Sequence, residues 1–116
     1  MTKNWQTVVE LKSFQKEVKD LLTTKEIKEL IDHLALNPKD GDLIEGTGGI
    51  RKLRWRRTGT GKSGGIRVIY FYYNDSYPMF LLDCYAKNEK DNLTKAEQKE
   101  FRKLTEELIK IYSRRK

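Results

Sequence analysis

A chain of 116 residues with 37 % apolar content has material for one modest core, which argues against a second domain, so residues 1–116 are expected to form a single unit. One cysteine rules out an internal disulfide, and no apolar stretch approaches the ~18 residues that a membrane-spanning helix needs. The formal charge of +7, together with an N-terminus that lacks a charged-then-apolar leader, points to a cytoplasmic protein with an acidic partner and gives no support to membrane insertion.

In chain order, "WQTVVEL" (residues 5–11) is a short strand candidate. "SFQKEVKDLL" follows, with Phe14, Val18, Leu21 and Leu22 at helical spacing behind Ser13 as the expected N-cap. "TTKEIKELIDHLALNP" opens with a capping box, Thr23 to Glu26. It gathers Ile27, Leu30, Ile31 and Leu34 on one face and stops at Asn37-Pro38. "NPKDGDLIEGTGG" reads as a turn-rich loop. Strand candidates come next at residues 50–56, 66–73 and 79–85, the last two joined as a hairpin by "NDSYP". A second capping box, Thr94 to Glu97, starts a long helix with Phe101, Leu104, Leu108, Ile109 and Ile111 on one face. The expected order is β-α-α-β-β-β-α. This is an α+β fold: a small, mainly antiparallel sheet with two N-terminal helices packed on one face and a C-terminal helix.

The charge is concentrated. Between Gly46 and Asn74 the chain has seven basic residues (Arg51, Lys52, Arg54, Arg56, Arg57, Lys62 and Arg67) and no Asp or Glu, while the other 87 residues hold 17 basic and 17 acidic side chains. Charge spread for solubility does not segregate in this way, whereas a footprint for a polyanion does, and nucleic acid is the expected partner ahead of an acidic protein or a lipid headgroup. Alternation along "RKLRWRR" sends Lys52, Arg54 and Arg56 to one side of a strand and Leu53 and Trp55 to the other, toward the helices. Arg67 opens an otherwise apolar strand and joins the same row if the two strands pair across "TGTGKSGG". Its other use would be an ion pair with a carboxylate such as Asp83 on the neighbouring strand.

The Gly-Lys-Ser at residues 61–63 does not make a phosphate-binding loop of the nucleotide-hydrolase type. The glycine required five residues before Gly61 is Arg56, and a strand follows where a helix is needed. Metal chemistry has no ligand set at useful spacing, because the chain has one histidine and one cysteine, and neither metal nor cofactor is expected. His33, on a helix among Leu30, Ile31 and Leu34, reads as a boundary residue, and Cys84, within "MFLLDCY", as a buried structural thiol. Metal-free phosphate chemistry remains. It needs fixed positive charge where a phosphorane forms, which arginine supplies, and the 2′-OH of RNA is a nucleophile that the substrate itself brings. Like-charge crowding favours the neutral form of a lysine, and Lys52, flanked by Arg51 and Arg54, is the candidate general base.

Residues from about 5 to 112 resemble the RelE/HigB family of bacterial toxins. The resemblance lies in element order, in "NPKDGDLIEGTGGIRKLRW" leading into the basic strand, in "GKSGGIRVIYFYY", and in "LLDCYAKNEKDNLT" before the last helix; it is closest to the HigB branch. It implies a ribosome-dependent endoribonuclease that cuts mRNA in the A site without metal, uses the 2′-OH, and leaves a 2′,3′-cyclic phosphate. By this resemblance Arg67 corresponds to the transition-state arginine, and Lys52 and Arg54 to the family's basic pair. Lys87 is the first choice for general acid and Tyr85 the second; the arginine of RelE aligns near Asn88, and its late tyrosine faces Leu93-Thr94 here. Arg51, Arg56, Arg57 and Lys62 complete the expected RNA-binding surface. The implied partners are mRNA with neighbouring 16S rRNA and a helix-turn-helix, HigA-like antitoxin, with operator DNA reached only through the antitoxin complex. Two other readings are a ParE-like gyrase poison, which shares the fold without the catalytic set, and a non-enzymatic RNA-binding module. The latter would use Trp55 or a tyrosine for base stacking, although Trp55 is expected in the core.

Overall fold

The computed structural model describes residues 5–56, 65–87, 89 and 92–113. Its elements are β1 (Val8–Glu10), α1 (Lys12–Val18), α2 (Thr24–Leu36), β2 (Asp42–Leu43), β3 (Ile50–Trp55), β4 (Ile66–Phe71), β5 (Met79–Ala86) and α3 (Lys95–Ser113). The five strands form one sheet in the order β1-β5-β4-β3-β2, antiparallel throughout except where β1 lies parallel to β5. The α+β architecture expected from the sequence is present. β2 is an addition: two exposed residues within the expected loop become a strand because Asp42 and Leu43 pair with Lys52 and Arg51. The return from β2 to β3 requires Gly49, at φ +129, because a Cβ there would lie 2.9 Å from the Phe71 ring and 3.0 Å from the Tyr72 carbonyl.

Helix ends follow local chemistry. Both expected capping boxes form, with Glu26 N–H donating to Thr23 Oγ1 at 3.1 Å and Glu97 N–H to Thr94 Oγ1 at 3.1 Å, each answered by the glutamate side chain. Ser13 departs from expectation: α1 begins at Lys12 with Leu11 as its N-cap, and the Ser13 hydroxyl donates to the Leu82 carbonyl. The register explains the change. Ile69 pairs with Asp83 and Tyr70 with Leu81, so Leu82 is the extra residue of a bulge, and Ser13 satisfies its carbonyl.

The sheet is covered on both faces. α1 and α2 bring Phe14, Val18, Leu30 and Leu34 against Leu53, Val68, Tyr70 and Leu81 on one side. On the other, α3 brings Leu104 and Leu108 against Ile50, Ile69, Phe71, Phe80 and Leu82. At about 1.5–3 kcal/mol for each large apolar side chain removed from water, these two layers dominate stability. Cys84 belongs to the first layer at 1 % exposure, and burial, reinforced by the charges of Asp83 and Glu17, pushes its thiol up to about 12, as suits a structural residue. Among the described residues no helix is long and apolar enough to cross a membrane.

Candidate RNA-cleavage site

Pairing register decides which side chains share a face. Arg54 lies directly opposite Arg67, which in turn lies opposite Tyr85, while Lys52 pairs with Ile69. Ile69 and Tyr85 belong to the core layer beneath α3, so Lys52, Arg54 and Arg67 project to that same side. Along this face the Ile50, Phe71 and Phe80 end is packed under α3, and the Arg54–Arg67 end forms a cleft of about 210 Å³ lined by Arg54, Trp55, Arg56, Gly65, Arg67 and Lys87.

The cleft is assembled from three strands. Arg54 and Arg56 come from β3 and the residue just beyond it, both exposed. Arg67, the second residue of β4, is only 2 % exposed. Lys87 follows β5 and is exposed; its backbone N–H donates to the Gly65 carbonyl at 3.1 Å, which fixes the end of β5 against the start of β4. Two arginines directly opposite each other repel, and such a pair costs a sheet stability unless an anion lies between them. Lys52 stands at the edge of this group, its Nζ donating to Asn92 Oδ1 at 2.6 Å.

Other sequence-designated residues lie elsewhere. Arg51 sits opposite Tyr70, on the α1–α2 side, and its guanidinium donates to the carbonyls of Gly41 at 2.8 Å and Lys39 at 3.2 Å. It therefore clamps the loop after α2 and is not part of the cationic row; of the two arginines expected to crowd Lys52, only Arg54 shares its face. Arg57 and Lys62 lie outside the described residues. Trp55 packs on the α1–α2 core layer with its ring 5.2 Å from His33, as expected of a core residue, although its edge also reaches the cleft wall. His33 Nε2 meets Asp40 Oδ2 at 2.7 Å at the boundary of α2. Of the tyrosines, Tyr70 is buried, its hydroxyl donating to Pro38 O and accepting from Gly41 N–H, and burial pushes it up from the ordinary tyrosine value. Tyr73, expected within β4, lies beyond it and is 44 % exposed. Asn92 went unrecognised in the sequence; 40 positions separate it from Lys52 and no local pattern connects them.

Among the described residues no three His, Cys, Asp or Glu side chains are grouped to hold a metal ion. The arrangement offers instead fixed guanidinium charge beside lysine amines, a donor set suited to phosphate oxygens. Fold and cleft together define a small α+β protein that presents a cationic concavity at one end of a helix-covered sheet. The family model for the RelE toxin of the RelE / RelB toxin-antitoxin system matches residues 6–115. The chain belongs to the RelE toxin family and is a toxin of a toxin–antitoxin system.

Proposed function

We propose that this toxin is a HigB-like, ribosome-dependent mRNA endoribonuclease that works without a metal ion. The observation that carries the reading is the convergence of Arg54, Arg67 and Lys87, from three different strands or their ends, on one cleft, with Lys52 outside its lining but two residues from Arg54 on the same sheet face. In the proposed reaction Lys52 acts as the base that takes the proton of a 2′-OH, whose oxygen bonds to the adjacent phosphorus. Arg54 and Arg67 stabilise the charge gathering on the phosphorane oxygens. The P–O5′ bond breaks as Lys87 gives its proton to the leaving oxygen, and the products are a 2′,3′-cyclic phosphate and a 5′-OH. The RNA loses a proton at the 2′ oxygen and gains one at the 5′ oxygen, and Lys52 and Lys87 return to their starting forms by exchanging one proton each with water, so no other reactant is consumed.

The ribosome supplies what this cleft lacks. A site made mainly of arginine and lysine has few groups that orient a loose strand, and in-line attack gains its rate from orientation. Messenger RNA held in the A site beside 16S rRNA would present the phosphodiester already ordered, in the cytoplasm. A helix-turn-helix, HigA-like antitoxin is the proposed inhibitor and the route by which the toxin reaches operator DNA. The experiment incubates the toxin with ribosomes programmed with a defined mRNA and determines the chemistry of the new 3′ ends. Cyclic phosphates at A-site positions are expected. Intact mRNA, with DNA breaks appearing in a gyrase reaction, would transfer the protein to the ParE-like class.

A further inference from the structure

We propose that Gly65 is a positioning residue for cleavage: the side chain it lacks leaves a seat between Arg56 and Lys87 through which the scissile phosphodiester reaches Arg67; the inference rests on the reading of this cleft as the cleavage site. Arg67 is 2 % exposed, so a phosphate meets its guanidinium only where the surface above it is open. Pairing register locates that opening. One step beyond the Trp55–Ile66 and Ile66–Ala86 pairs, Gly65 stands opposite Arg56 on one side and Lys87 on the other, and the Lys87 N–H donates to its carbonyl at 3.1 Å. Two residues separate Gly65 from Arg67 along the chain, so both belong to the same face. The row Arg54, Arg67, Tyr85 is therefore followed, toward the cleft mouth, by the row Arg56, Gly65, Lys87: two exposed cations with a gap between them.

The backbone does not demand a glycine here. Among the described residues the glycines at positive φ are Gly46, Gly48 and Gly49, so the conformation of Gly65 is one that an L side chain adopts. Packing does not demand it either: a Cβ would meet one atom, the Trp55 carbonyl oxygen at 3.3 Å, and a shift of a few tenths of an ångström relieves that contact. Of the six residues lining the cleft, Gly65 alone has no side chain. Its absence leaves a floor of peptide backbone flanked by Arg56 and Lys87, and a phosphodiester lowered onto that floor meets positive charge on both sides before it meets Arg67. Arg67 makes a further interaction within the protein, which suits a guanidinium that stays fixed while charge develops on the phosphorane.

The test adds bulk to the seat after the protein has folded. Gly65→Cys supplies a thiol, which methyl methanethiosulfonate converts to a methyl disulfide with loss of methanesulfinate, and dithiothreitol reverses the change. Cys84, 1 % exposed and with its thiol pushed up to about 12, stays unmodified, so treated wild-type toxin is the control. Labelling is expected to lower single-turnover cleavage on programmed ribosomes about 10²-fold, with half-saturation by ribosomes and circular dichroism unchanged, and reduction to restore the rate. Gly65→Ala, which places a smaller group in the seat, should lose about tenfold. An unchanged rate in the labelled toxin or in Gly65→Ala, a loss confined to half-saturation, or a loss that reduction does not reverse would each overturn the positioning role. Failure of both variants to fold would overturn it as well, because the fold itself would then require the glycine. A wild-type toxin that left the mRNA intact would instead refute the enzymatic reading beneath it.

Discussion

Replacing Arg54 by glutamine should make the protein more stable and less active. Arg54 and Arg67 are directly opposite on β3 and β4, a placement in which Cβ atoms are typically about 4.5–5.5 Å apart. Two unit charges about 6 Å apart repel by about 2.8 kcal/mol at an effective dielectric of 20, and by about 0.7 kcal/mol in water. Arg67 is buried with a further interaction of its own and Arg54 is exposed, so screening and that interaction bring the net cost down to the ~0.2–1 kcal/mol typical of directly opposed cross-strand pairs. Relief of about 0.5–1 kcal/mol in a domain of this size corresponds to a melting temperature about 2–6 °C higher. Circular dichroism melts at low salt would show the rise. The gain should shrink at high salt, where the screening length falls from about 10 Å at 0.1 M to about 3 Å at 1 M. Single-turnover cleavage should fall by at least about tenfold in the same variant. A lower melting temperature at every salt concentration, or a rise that ignores salt, would refute the repulsion argument.

Arg51→Ala should do the opposite: lose about 1–3 kcal/mol in urea unfolding, because the Lys39 and Gly41 carbonyls lose a charged donor, while cleavage per folded molecule stays at the wild-type level. Cys84 should resist alkylation in the native protein and react on unfolding, since burial pushes its thiol up to about 12 from an ordinary value of 9.0. The sign of the linked effect follows: the folded thiol holds its proton more tightly, so its contribution is fully present below about pH 9 and is lost as pH rises toward 12. Alkaline unfolding midpoints compared with Cys84→Ala would measure it.

What the sequence disclosed was local. The capping boxes at Thr23 and Thr94 each lie within four residues, and the alternation of Lys52, Leu53, Arg54 and Trp55 has a period set by the strand itself, so both were legible without tertiary knowledge. The face of Arg51 was legible too, since its parity matches Leu53 and Trp55, on the side opposite Lys52 and Arg54. Other features depend on partners distant in sequence. β2 exists because two exposed residues meet β3, β1 joins β5 in parallel across most of the chain, and the Ser13 hydroxyl turns from its own helix to a bulge carbonyl 69 positions away. The hydrogen bond from Lys52 to Asn92 belongs to this second group, which is why the site's edge was invisible until the fold brought it together.

The central claim is that cations from neighbouring strands act on a single phosphodiester, and the cleft's most buried arginine tests it most directly. Arg67→Ala, measured on programmed ribosomes, should retain ribosome binding and folded-state circular dichroism while single-turnover cleavage drops by about 10²–10³-fold, the loss expected when one donor to a developing oxyanion is removed. Cleavage at the wild-type rate in a folded, ribosome-bound Arg67→Ala toxin would contradict the account.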